Sequence, residues 1–455
     1  MDAGHSANQS GERRKLASPR AILAAEEILA HWDAERDSAP LDRLVQWELR
    51  ARRHLNSAER RWVGDAVFGA VRFWRRDSLI LERSGAGTSV RERIELWARE
   101  EVDADPGRLE SAGLLPGPER PDEYLRETLS FPDAMADALN AALGNDAIPA
   151  ARAFNGQAPT TLRVNTLRST RQHVLDRLPN ARRTQFSPWG IELSERINLH
   201  ELPDFRAGLF EVQEEASQLV ALLTDACPGQ TVVDIGAGAG GKSIALAAMM
   251  RNKGRIKAID TSPDRLSRIG KRAVRAGARI IDPLSLTADA NGRWQLSATE
   301  QRSVDILRER ADCVLVDAPC SGSGVLRRAP DIRWRSIDTS EFALLQVQLL
   351  EQSAQFVAPG GCLIYATCAF ESVQDEDVIE RFLGSNAGTA FELVSALDRL
   401  RGAMVKARQP GEAVANEFVE SLEGLDMLMS GPFLRTWPHR GNLDAFFAAC
   451  LRRKP

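Results

Sequence analysis

Apolar residues recur at helical spacing through the first part of the chain. After Pro19 they are Ile22, Ala25, Ile28 and Leu29, then Leu41, Leu44, Val45 and Leu49, and later Val63, Ala66, Val67, Ala70 and Val71. Positions three or four apart lie on one face of an α-helix, so each group predicts a helix with one buried face. Residues 18–127 are therefore expected to form an all-helical domain. Residues 1–17 lack this periodicity and are expected to form a disordered tail.

Farther along the chain, short apolar runs alternate with helical stretches. The runs predicted as buried strands are Thr231–Ile235, Arg255–Ile259, Asp312–Val316 and Gly361–Thr367. This alternation is typical of an α/β fold with a doubly wound, mainly parallel sheet, which is expected over residues 211–455. The intervening residues 128–210 combine short strand patterns with one helix pattern, and they predict a small mixed α/β module.

Length and composition restrict the class of protein. At 455 residues the chain is too long for one ordinary core, so several domains are expected. The chain has no long apolar run and its first nine residues are small and polar, so we expect a cytoplasmic protein, a monomer, with no membrane partner. Its six cysteines form no CxxC pair, so neither a disulfide framework nor a bound metal is expected.

A glycine-rich turn follows the first predicted strand of the sheet. It consists of Gly236, Ala237, Gly238, Ala239, Gly240 and Gly241, with Lys242 after it. Small residues are needed there because the backbone passes under a cofactor before it enters a helix, and Asp260 at the end of the next strand can accept bonds from ribose hydroxyls. A nicotinamide dehydrogenase has the same two features.

Two cysteines follow two of the predicted strands. Cys320 lies in Asp317-Ala318-Pro319-Cys320, and Cys368 comes directly after Tyr365-Ala366-Thr367. The carboxyl ends of parallel strands meet at the edge where open sheets bind ligands. A single cysteine there is usually a small buried hydrophobe, but two are typical of thiolate chemistry. A thiolate that adds to C6 of a pyrimidine makes C5 nucleophilic, so the pair indicates an RNA cytosine methyltransferase.

These motifs resemble those of the Nol/Nop/Sun family of RNA cytosine-5 methyltransferases, and most of all its bacterial Sun (Fmu) branch, which acts on 16S ribosomal RNA. The matching segments are Leu162–Asn165, Gln213–Ser217, Asp234–Ser243, Asp260 with Arg265, Asp317–Gly324, Arg327–Trp334, Gln346, Pro359–Gly361, Tyr365–Cys368 and Asp444–Phe447. The resemblance implies a Rossmann-like catalytic domain with S-adenosylmethionine as its cofactor. It also implies that the helical N-terminal domain is similar to the RNA-binding protein NusB.

The resemblance further implies roles for single residues. Cys368 would be the nucleophile and Cys320 would help to release the product. Asp317 would hold the flipped cytosine through N3 and N4, and Lys242 would help to order the site. The cofactor would lie over the glycine-rich turn, with contacts from Asp260 on its ribose and from Arg265, Asp317 and, on the adenine side, Asp289 or alternatively Asp282.

Two segments depart from the family pattern. The usual Cys-Ala-Ala-Pro-Gly-Gly-Lys reads Gly236-Ala237-Gly238-Ala239-Gly240-Gly241-Lys242, which loses the rigidity of a proline under the cofactor. The customary Glu-Glu-Asn after the nucleophile reads Val373-Gln374-Asp375. The family's substrate contacts at this second segment are therefore not assigned to residues of this chain.

Arginines cluster in two places and are candidates for contact with RNA phosphates. In the helical domain these are Arg60, Arg61, Arg75 and Arg76, with Trp62 and Trp74 among them, and after Cys320 they are Arg327, Arg328 and Arg333. The competing interpretation is that the arginines form an ordinary solvated surface and that the tryptophans belong to the core.

The preferred function is an S-adenosylmethionine-dependent cytosine-5 methyltransferase acting on ribosomal RNA. The same chemistry on transfer RNA is one alternative. A non-catalytic RNA-binding factor for ribosome assembly is another, against which the intact Cys320, Cys368 and Asp317 argue. A nicotinamide dehydrogenase remains as the last.

Overall fold

A computed structural model describes residues 18–99, 113–195, 197–289, 292–407 and 422–455. The predicted tail over residues 1–17 lies outside these ranges. The chain divides into two compact units. The first consists of Met1–Gln157 together with Val325–Ile337, and the second of Ala158–Gly324 together with Asp338–Pro455.

The first unit is built from helices, as the apolar spacing predicts. Their bounds are Pro19–Ala34, Leu41–Ala51, Ser57–Arg72, Trp74–Arg83, Val90–Ala98, Pro121–Glu123 with the π-helix Tyr124–Thr128, Asp133–Leu143, the 3-10 turn Gly144–Asp146 and Ala147–Asn155. The third helix has a capping box in which Asn56 accepts from the Glu59 N–H and the Glu59 carboxylate accepts from the Asn56 N–H. Two separate orphan backbone groups are satisfied in this way at the start of the helix.

Tryptophans fill the core of the first unit. Trp32 and Trp74 meet edge to face with ring centroids 5.1 Å apart, and Trp62 meets Trp97 at 5.7 Å. All four side chains are buried. The structure therefore favours the core interpretation of Trp62 and Trp74 over a role in base stacking.

The second unit contains a large mixed sheet and a smaller one. In chain order the strands are β1 Thr160–Val164, β2 Ala181–Arg183, β3 Gly190–Leu193, β4 Phe210–Val212, β5 Thr231–Ile235, β6 Arg255–Asp260, β7 Ile281–Ser285, β8 Thr287–Ala288, β9 Trp294–Gln295, β10 Ala311–Asp317, β11 Val357–Thr367, β12 Phe391–Val394, β13 Met429–Ser430, β14 Phe433–Arg435 and β15 Phe447–Arg453. The large sheet has the order β13-β14-β15-β11-β10-β5-β6-β7, with β12 paired to β15. Strands β11, β10, β5, β6 and β7 run parallel.

This sheet confirms the predicted Rossmann-like class and adds an antiparallel part. Strand β15 runs antiparallel to β11, β12 and β14. The interior of the parallel part is apolar, with fully buried Val233, Val314 and Leu363 on three adjacent strands. Helices of this unit are Arg171–Leu175, Pro203–Arg206, Glu215–Leu223, Gly241–Met249, Pro263–Ala276, Ala298–Leu307, Thr339–Ala354, Glu376–Leu383 and Ala396–Ala407.

The predicted connecting module over residues 128–210 is divided differently in the structure. Its strands form a four-stranded antiparallel sheet of order β2-β3-β1-β4 in the second unit. Its first part, with the helices Asp133–Leu143 and Ala147–Asn155, belongs to the first unit. The predicted boundary at residues 127/128 falls inside the turn formed by Tyr124–Thr128, whereas the compact units separate after Gln157. Within the described part of the chain, the helices are too short or too polar to cross a membrane.

Candidate active site

The two predicted cysteines meet at one edge of the parallel sheet. Strands β10 and β11 pair in parallel with Asp317 opposite Ala366, so the segments that follow them leave the sheet side by side. The Sγ atoms of Cys320 and Cys368 are 3.5 Å apart, within contact distance of two thiols. The contact with Cys368, together with burial, raises the pKa of Cys320 well above its ordinary value. Cys320 therefore keeps its proton at neutral pH, facing the other sulfur.

Backbone contacts hold the two cysteine loops together. The Gly324 N–H donates to the carbonyl oxygen of Cys368 over 2.8 Å, and the Ala445 N–H donates to that of Gly324 over 3.0 Å. A Cβ atom at position 324 would lie 2.0 Å from the Ala445 carbonyl oxygen, so only glycine fits. The separation of the two thiols thus depends on three segments that are distant in sequence.

Lys242 and Asp317 form an ion pair beside the thiols. Lys242 Nζ lies 2.7 Å from Asp317 Oδ2, and the lysine side chain is almost fully buried in the first turn of the helix Gly241–Met249. Burial alone would lower the pKa of Lys242, but the charge and hydrogen bond of Asp317 outweigh it and raise the pKa. Lys242 therefore carries its positive charge at neutral pH. The same Nζ lies 5.7 Å from the ring centroid of Phe446.

The glycine-rich turn packs its backbone closely against the end of β10. Gly236 has a φ of +75°, and a Cβ atom there would lie 2.2 Å from the carbonyl oxygen of Asp317. Asp260 ends β6, where its Oδ2 accepts from the Gly238 N–H at 2.8 Å and its Oδ1 from the Ser262 N–H at 2.7 Å. A carboxylate has about four acceptor positions, so each oxygen of Asp260 retains one for a ribose hydroxyl. This small-residue cradle with an acidic end fits S-adenosylmethionine.

The structure adds a buried carboxyl group next to this cradle. Asp234 at the end of β5 is fully buried, and its Oδ2 accepts from the Ser243 hydroxyl at 2.5 Å. Burial, with a smaller effect from the nearby Asp317, raises the pKa of Asp234 to about 7, although the Ser243 bond opposes this. In the sequence, Asp234 and Ser243 stand out only as members of the matching segment Asp234–Ser243. The signal that was available is an aspartate at the end of an otherwise apolar strand.

The remaining predicted cofactor residues lie near the same edge, with one exception. Arg265 is exposed in the first turn of the helix Pro263–Ala276, which follows Asp260. Asp289 comes after β8, where it accepts from the Arg293 N–H. Asp282, the alternative to Asp289, lies near the other end of β7 and pairs with Lys257 at 2.7 Å. Asp282 therefore lies away from the carboxyl ends of the strands, where the cofactor is expected. This position argues against Asp282 as the adenine-side carboxylate.

The segment that departs from the family pattern lies within the protein interior. The Gln374 side chain is fully buried, where its Oε1 accepts from the Ser321 N–H at 2.9 Å. Asp375 is also fully buried and accepts from the Thr367 hydroxyl. These contacts support the loops and leave the two side chains directed inward. Glu371, to which sequence reasoning gave no role, also belongs to this network through a 2.7 Å bond from the Ser323 hydroxyl.

Of the arginines after Cys320, two are buried. Arg327 is 4% exposed. Arg333 donates to the carbonyl oxygens of Arg72 and Ser130 and, at 2.7 Å, to Asn155 Oδ1, all within the first unit. Burial of both side chains argues against the predicted phosphate contacts, and the Arg333 guanidinium is in addition occupied by bonds inside the first unit. Arg328 is half-buried.

The arginines of the helical domain are likewise mostly engaged inside their own unit. Arg60 donates to three backbone carbonyl oxygens, which are those of Leu49, Arg52 and Leu55. Arg76 is buried, binds Asp77 and has its guanidinium 3.7 Å from the ring centroid of Phe73. These internal bonds occupy the guanidinium groups of Arg60 and Arg76 and argue against the phosphate contacts predicted for them. Arg75 is partly exposed and pairs with Asp133 at 2.6 Å, whereas Arg61 is exposed.

Comparisons with known proteins identify the family of this chain. A family model described as 16S rRNA methyltransferase RsmB/F matches residues 221–452, just over half of the chain. A second model, described as the ferredoxin-like domain of RsmF/B-like methyltransferases, matches residues 131–200. The second match overlaps most of the connecting module that the sequence pattern predicts over residues 128–210.

Individual relatives lead to the same family. A probable ribosomal RNA small subunit methyltransferase B from Synechocystis sp. is 33% identical over 72% of this chain and 68% of its own length. A ribosomal RNA small subunit methyltransferase B from Pseudomonas syringae pv. tomato is 35% identical over 52% of this chain, which spans only 51% of that relative. The crystal structure of PH0851 shares the fold, with a TM-score of 0.72, 24% identity and coverage of 96% of this chain and 99% of that one. The chain thus belongs to the 16S rRNA methyltransferase RsmB/F family, and its cofactor is S-adenosylmethionine.

Proposed function

We propose that this protein methylates C5 of a cytosine in small-subunit ribosomal RNA through a covalent bond between Cys368 and C6 of the base. The observation that carries the proposal is the 3.5 Å separation of the Cys320 and Cys368 sulfurs at the ends of adjacent parallel strands. Two thiols so close, beside an acidic residue and next to a cofactor cradle, suit addition to a pyrimidine and its later reversal.

The thiols take different parts in this scheme. Cys320, with its raised pKa, stays protonated and can donate toward the Cys368 sulfur, which favours Cys368 as the thiolate nucleophile. Addition of Cys368 to C6 forms an S–C bond and places electron density on C5. After C5 has taken a methyl group, a base must take the C5 proton, so that the C5–C6 double bond forms again and the S–C6 bond breaks to release the Cys368 thiolate. The Cys320 sulfur can serve as that base once Cys368 is bonded to C6, because the Cys368 thiol is the largest cause of its raised pKa. Cys320 is placed to assist that elimination.

The ion pair of Lys242 and Asp317 suits recognition of the cytosine edge. The Asp317 carboxylate can accept a hydrogen bond from the N4 amino group. Negative charge develops toward N3 when the thiolate adds to C6, and a proton shared over the 2.7 Å between Lys242 and Asp317 can neutralise it there. The base must first leave its stack, at a cost of about a few kcal/mol that RNA contacts have to offset.

The residues of the cradle would hold the cofactor with its methyl group toward this site. S-adenosylmethionine supplies an electrophilic methyl group on a sulfonium ion. Asp260 would accept from the ribose hydroxyls, and Gly236 and Gly238 would allow close approach of the backbone. Arg265 and Asp289 are proposed as additional cofactor contacts.

The proposed substrate rests on the family and on the printed names of the relatives, which are small-subunit rRNA methyltransferases. In the helical unit, Arg61 and the partly exposed Arg75 are the remaining candidates for phosphate contact, with Arg328 after the Cys320 loop.

Substitution of each thiol separates the two roles. We expect Cys368→Ala to reduce methyl transfer to background, because the S–C6 bond cannot form. Cys320→Ala should instead accumulate a covalent protein–RNA adduct, because elimination stalls. A denaturing gel of the full-length protein with labelled small-subunit rRNA and S-adenosylmethionine measures both outcomes.

Cys227→Ala is the matched control, since this half-buried cysteine lies before β5 and outside the thiol pair. It should behave like the wild type. If Cys320→Ala loses methyl transfer and Cys368→Ala retains the adduct, the two roles are reversed. If neither variant changes methylation, the covalent mechanism is wrong.

A further inference from the structure

One oxygen atom beside the thiol pair accepts from an unusual number of donors. It is Oε2 of Glu371, and its donors are the Ser323 hydroxyl at 2.7 Å, Gln374 Nε2 at 3.0 Å, the Ser321 hydroxyl at 3.2 Å and the Phe370 N–H at 3.3 Å. Four donors that converge on one carboxylate oxygen make this oxygen the common acceptor of the surrounding loops.

The donors come from both cysteine loops. Ser321 and Ser323 lie one and three residues after Cys320, whereas Glu371 lies three residues after Cys368. Bonds from the two serines to Glu371 therefore fasten the Cys320 loop to the Cys368 loop. The sulfurs of the two loops are the atoms that meet at 3.5 Å.

Neighbouring contacts indicate which of the two cysteines depends more on Glu371. Cys368 is fixed at the end of β11, where Thr367 is buried and paired with Phe447 of β15. Cys320 comes three residues after the end of β10, in a loop that is held by side-chain bonds to Gln374 and Glu371 in addition to the backbone bond of Gly324. Loss of the Glu371 carboxylate should therefore displace Cys320 more than Cys368.

We propose that Glu371 is a positioning residue that sets the place of the Cys320 thiol relative to Cys368, and thereby the rate of product release. The inference rests on the proposed function for its kinetic consequence, though not for its geometry. The proposal also bears on the altered segment Val373-Gln374-Asp375. In the loop that contains this segment, the carboxylate that binds the two serines belongs to Glu371.

The kinetic test follows the covalent adduct in the full-length protein. Adduct formation by Glu371→Ala should remain close to that of the wild type, while its decay should slow by about tenfold, because the Cys320 loop loses its hydrogen bonds to the carboxylate. Glu371→Gln should give an intermediate decay rate, because an amide oxygen still accepts but carries no charge. Glu380→Ala, at an exposed position on the next helix, is the control and should match the wild type.

A second measurement reports the thiol geometry without any methyl transfer. Dibromobimane becomes fluorescent only when both of its arms have reacted with thiols, and peptide mapping identifies the Cys320–Cys368 product. Wild type and Glu380→Ala should give this product, and its yield should fall about tenfold in Glu371→Ala and less in Glu371→Gln. Circular dichroism verifies that the variants fold.

The outcomes separate the two proposals. Unchanged cross-linking and unchanged adduct decay in a folded Glu371→Ala variant would overturn the positioning role. Equal slowing of adduct formation and decay would also overturn it, because both thiols would then be affected. If no variant forms an adduct, even Cys320→Ala, the covalent mechanism fails, and the cross-linking yield still decides the role of Glu371.

Discussion

The carboxyl edge of the parallel sheet and the arginines of the helical unit are two regions with equally strong sequence signals, and they differ in how the structure uses them. At the sheet edge, Cys320 and Cys368 are 48 positions apart in sequence and 3.5 Å apart in space. In the helical unit, Arg60 and Arg76 point their guanidinium groups at their own backbone and neighbours. A cysteine that follows a predicted parallel strand has a predictable place in the fold. A cluster of arginines on a helix predicts only positive charge.

The physical reason for the difference is topological. Parallel strands must end at the same edge of a sheet, so any residue that directly follows such a strand has a defined location. A helix surface carries no such constraint, and a long arginine can either extend into solvent or fold back to satisfy carbonyl groups at a nearby helix end. Arginine density is therefore weak evidence for an RNA surface until the partners of each guanidinium are known.

The largest effect that can test this comparison is expected from Arg333. Arg333→Ala removes three hydrogen bonds inside the first unit and the stacking of the guanidinium 4.2 Å from the Phe131 ring centroid. We expect the free energy of unfolding of this unit to fall by about 3 kcal/mol, since each bond of a charged group contributes about 1.5–3 kcal/mol and some relaxation will occur. Urea denaturation followed by tryptophan fluorescence measures it, because Trp32 and Trp74 lie in this core.

Arg61→Ala is the control for that experiment and should change stability by less than about 0.5 kcal/mol, as exposed substitutions usually do. The comparison would break if Arg333→Ala were as stable as the wild type and instead lost affinity for RNA. Arg333 would then be a phosphate contact, as the sequence alone suggested.

An intermediate effect is expected at the sheet edge, from Asp260. Asp260→Ala removes the proposed acceptor of the ribose hydroxyls, so the affinity for S-adenosylmethionine should fall by at least about tenfold. Asp260→Asn keeps one acceptor oxygen, for either the Gly238 or the Ser262 N–H group, and should lose less. Calorimetric titration gives the dissociation constants. Asp282→Ala should bind as the wild type does, and equal losses in the Asp260 and Asp282 variants would contradict this placement of the ribose.

The sequence predicted the parts of the fold that depend on local pattern. Strand β5 has the predicted bounds, and β6, β10 and β11 begin or end within a few residues of them. Strand β7 was not predicted, because Ile281–Ser285 is mostly exposed or half-buried and contains a proline, so it lacks the apolar signal of the inner strands. Pairing of β15 with both β11 and β12 is a long-range property that no local window contains.

The candidate site was predictable where a motif coincides with a strand end and unpredictable where side chains cooperate across loops. Cys320, Cys368, Lys242 and Asp317 follow from the first rule. The roles of Glu371 and Gln374 depend on how the loops pack, and no periodicity or motif spacing in the sequence predicts that packing. The cysteines of the two loops are 48 positions apart along the chain, and only the folded sheet brings the hydroxyl, amide and carboxylate groups of these loops together.

The smallest expected effect tests whether the helical unit retains a phosphate contact. Arg61→Ala should lower the slope of the log–log plot of RNA affinity against salt concentration by roughly 0.7 to 0.9, the value for one lost phosphate contact. Arg60→Ala should leave that slope unchanged, because the Arg60 guanidinium is occupied by the Leu55 and Arg52 carbonyl oxygens. Binding of small-subunit rRNA across a salt series measures both variants, with circular dichroism as the test of folding. Coincident curves for wild type and Arg61→Ala would assign Arg61 to the solvated surface and move the search for RNA contacts to Arg75 and Arg328. A reduced slope in Arg60→Ala would mean that its backbone bonds open when RNA binds.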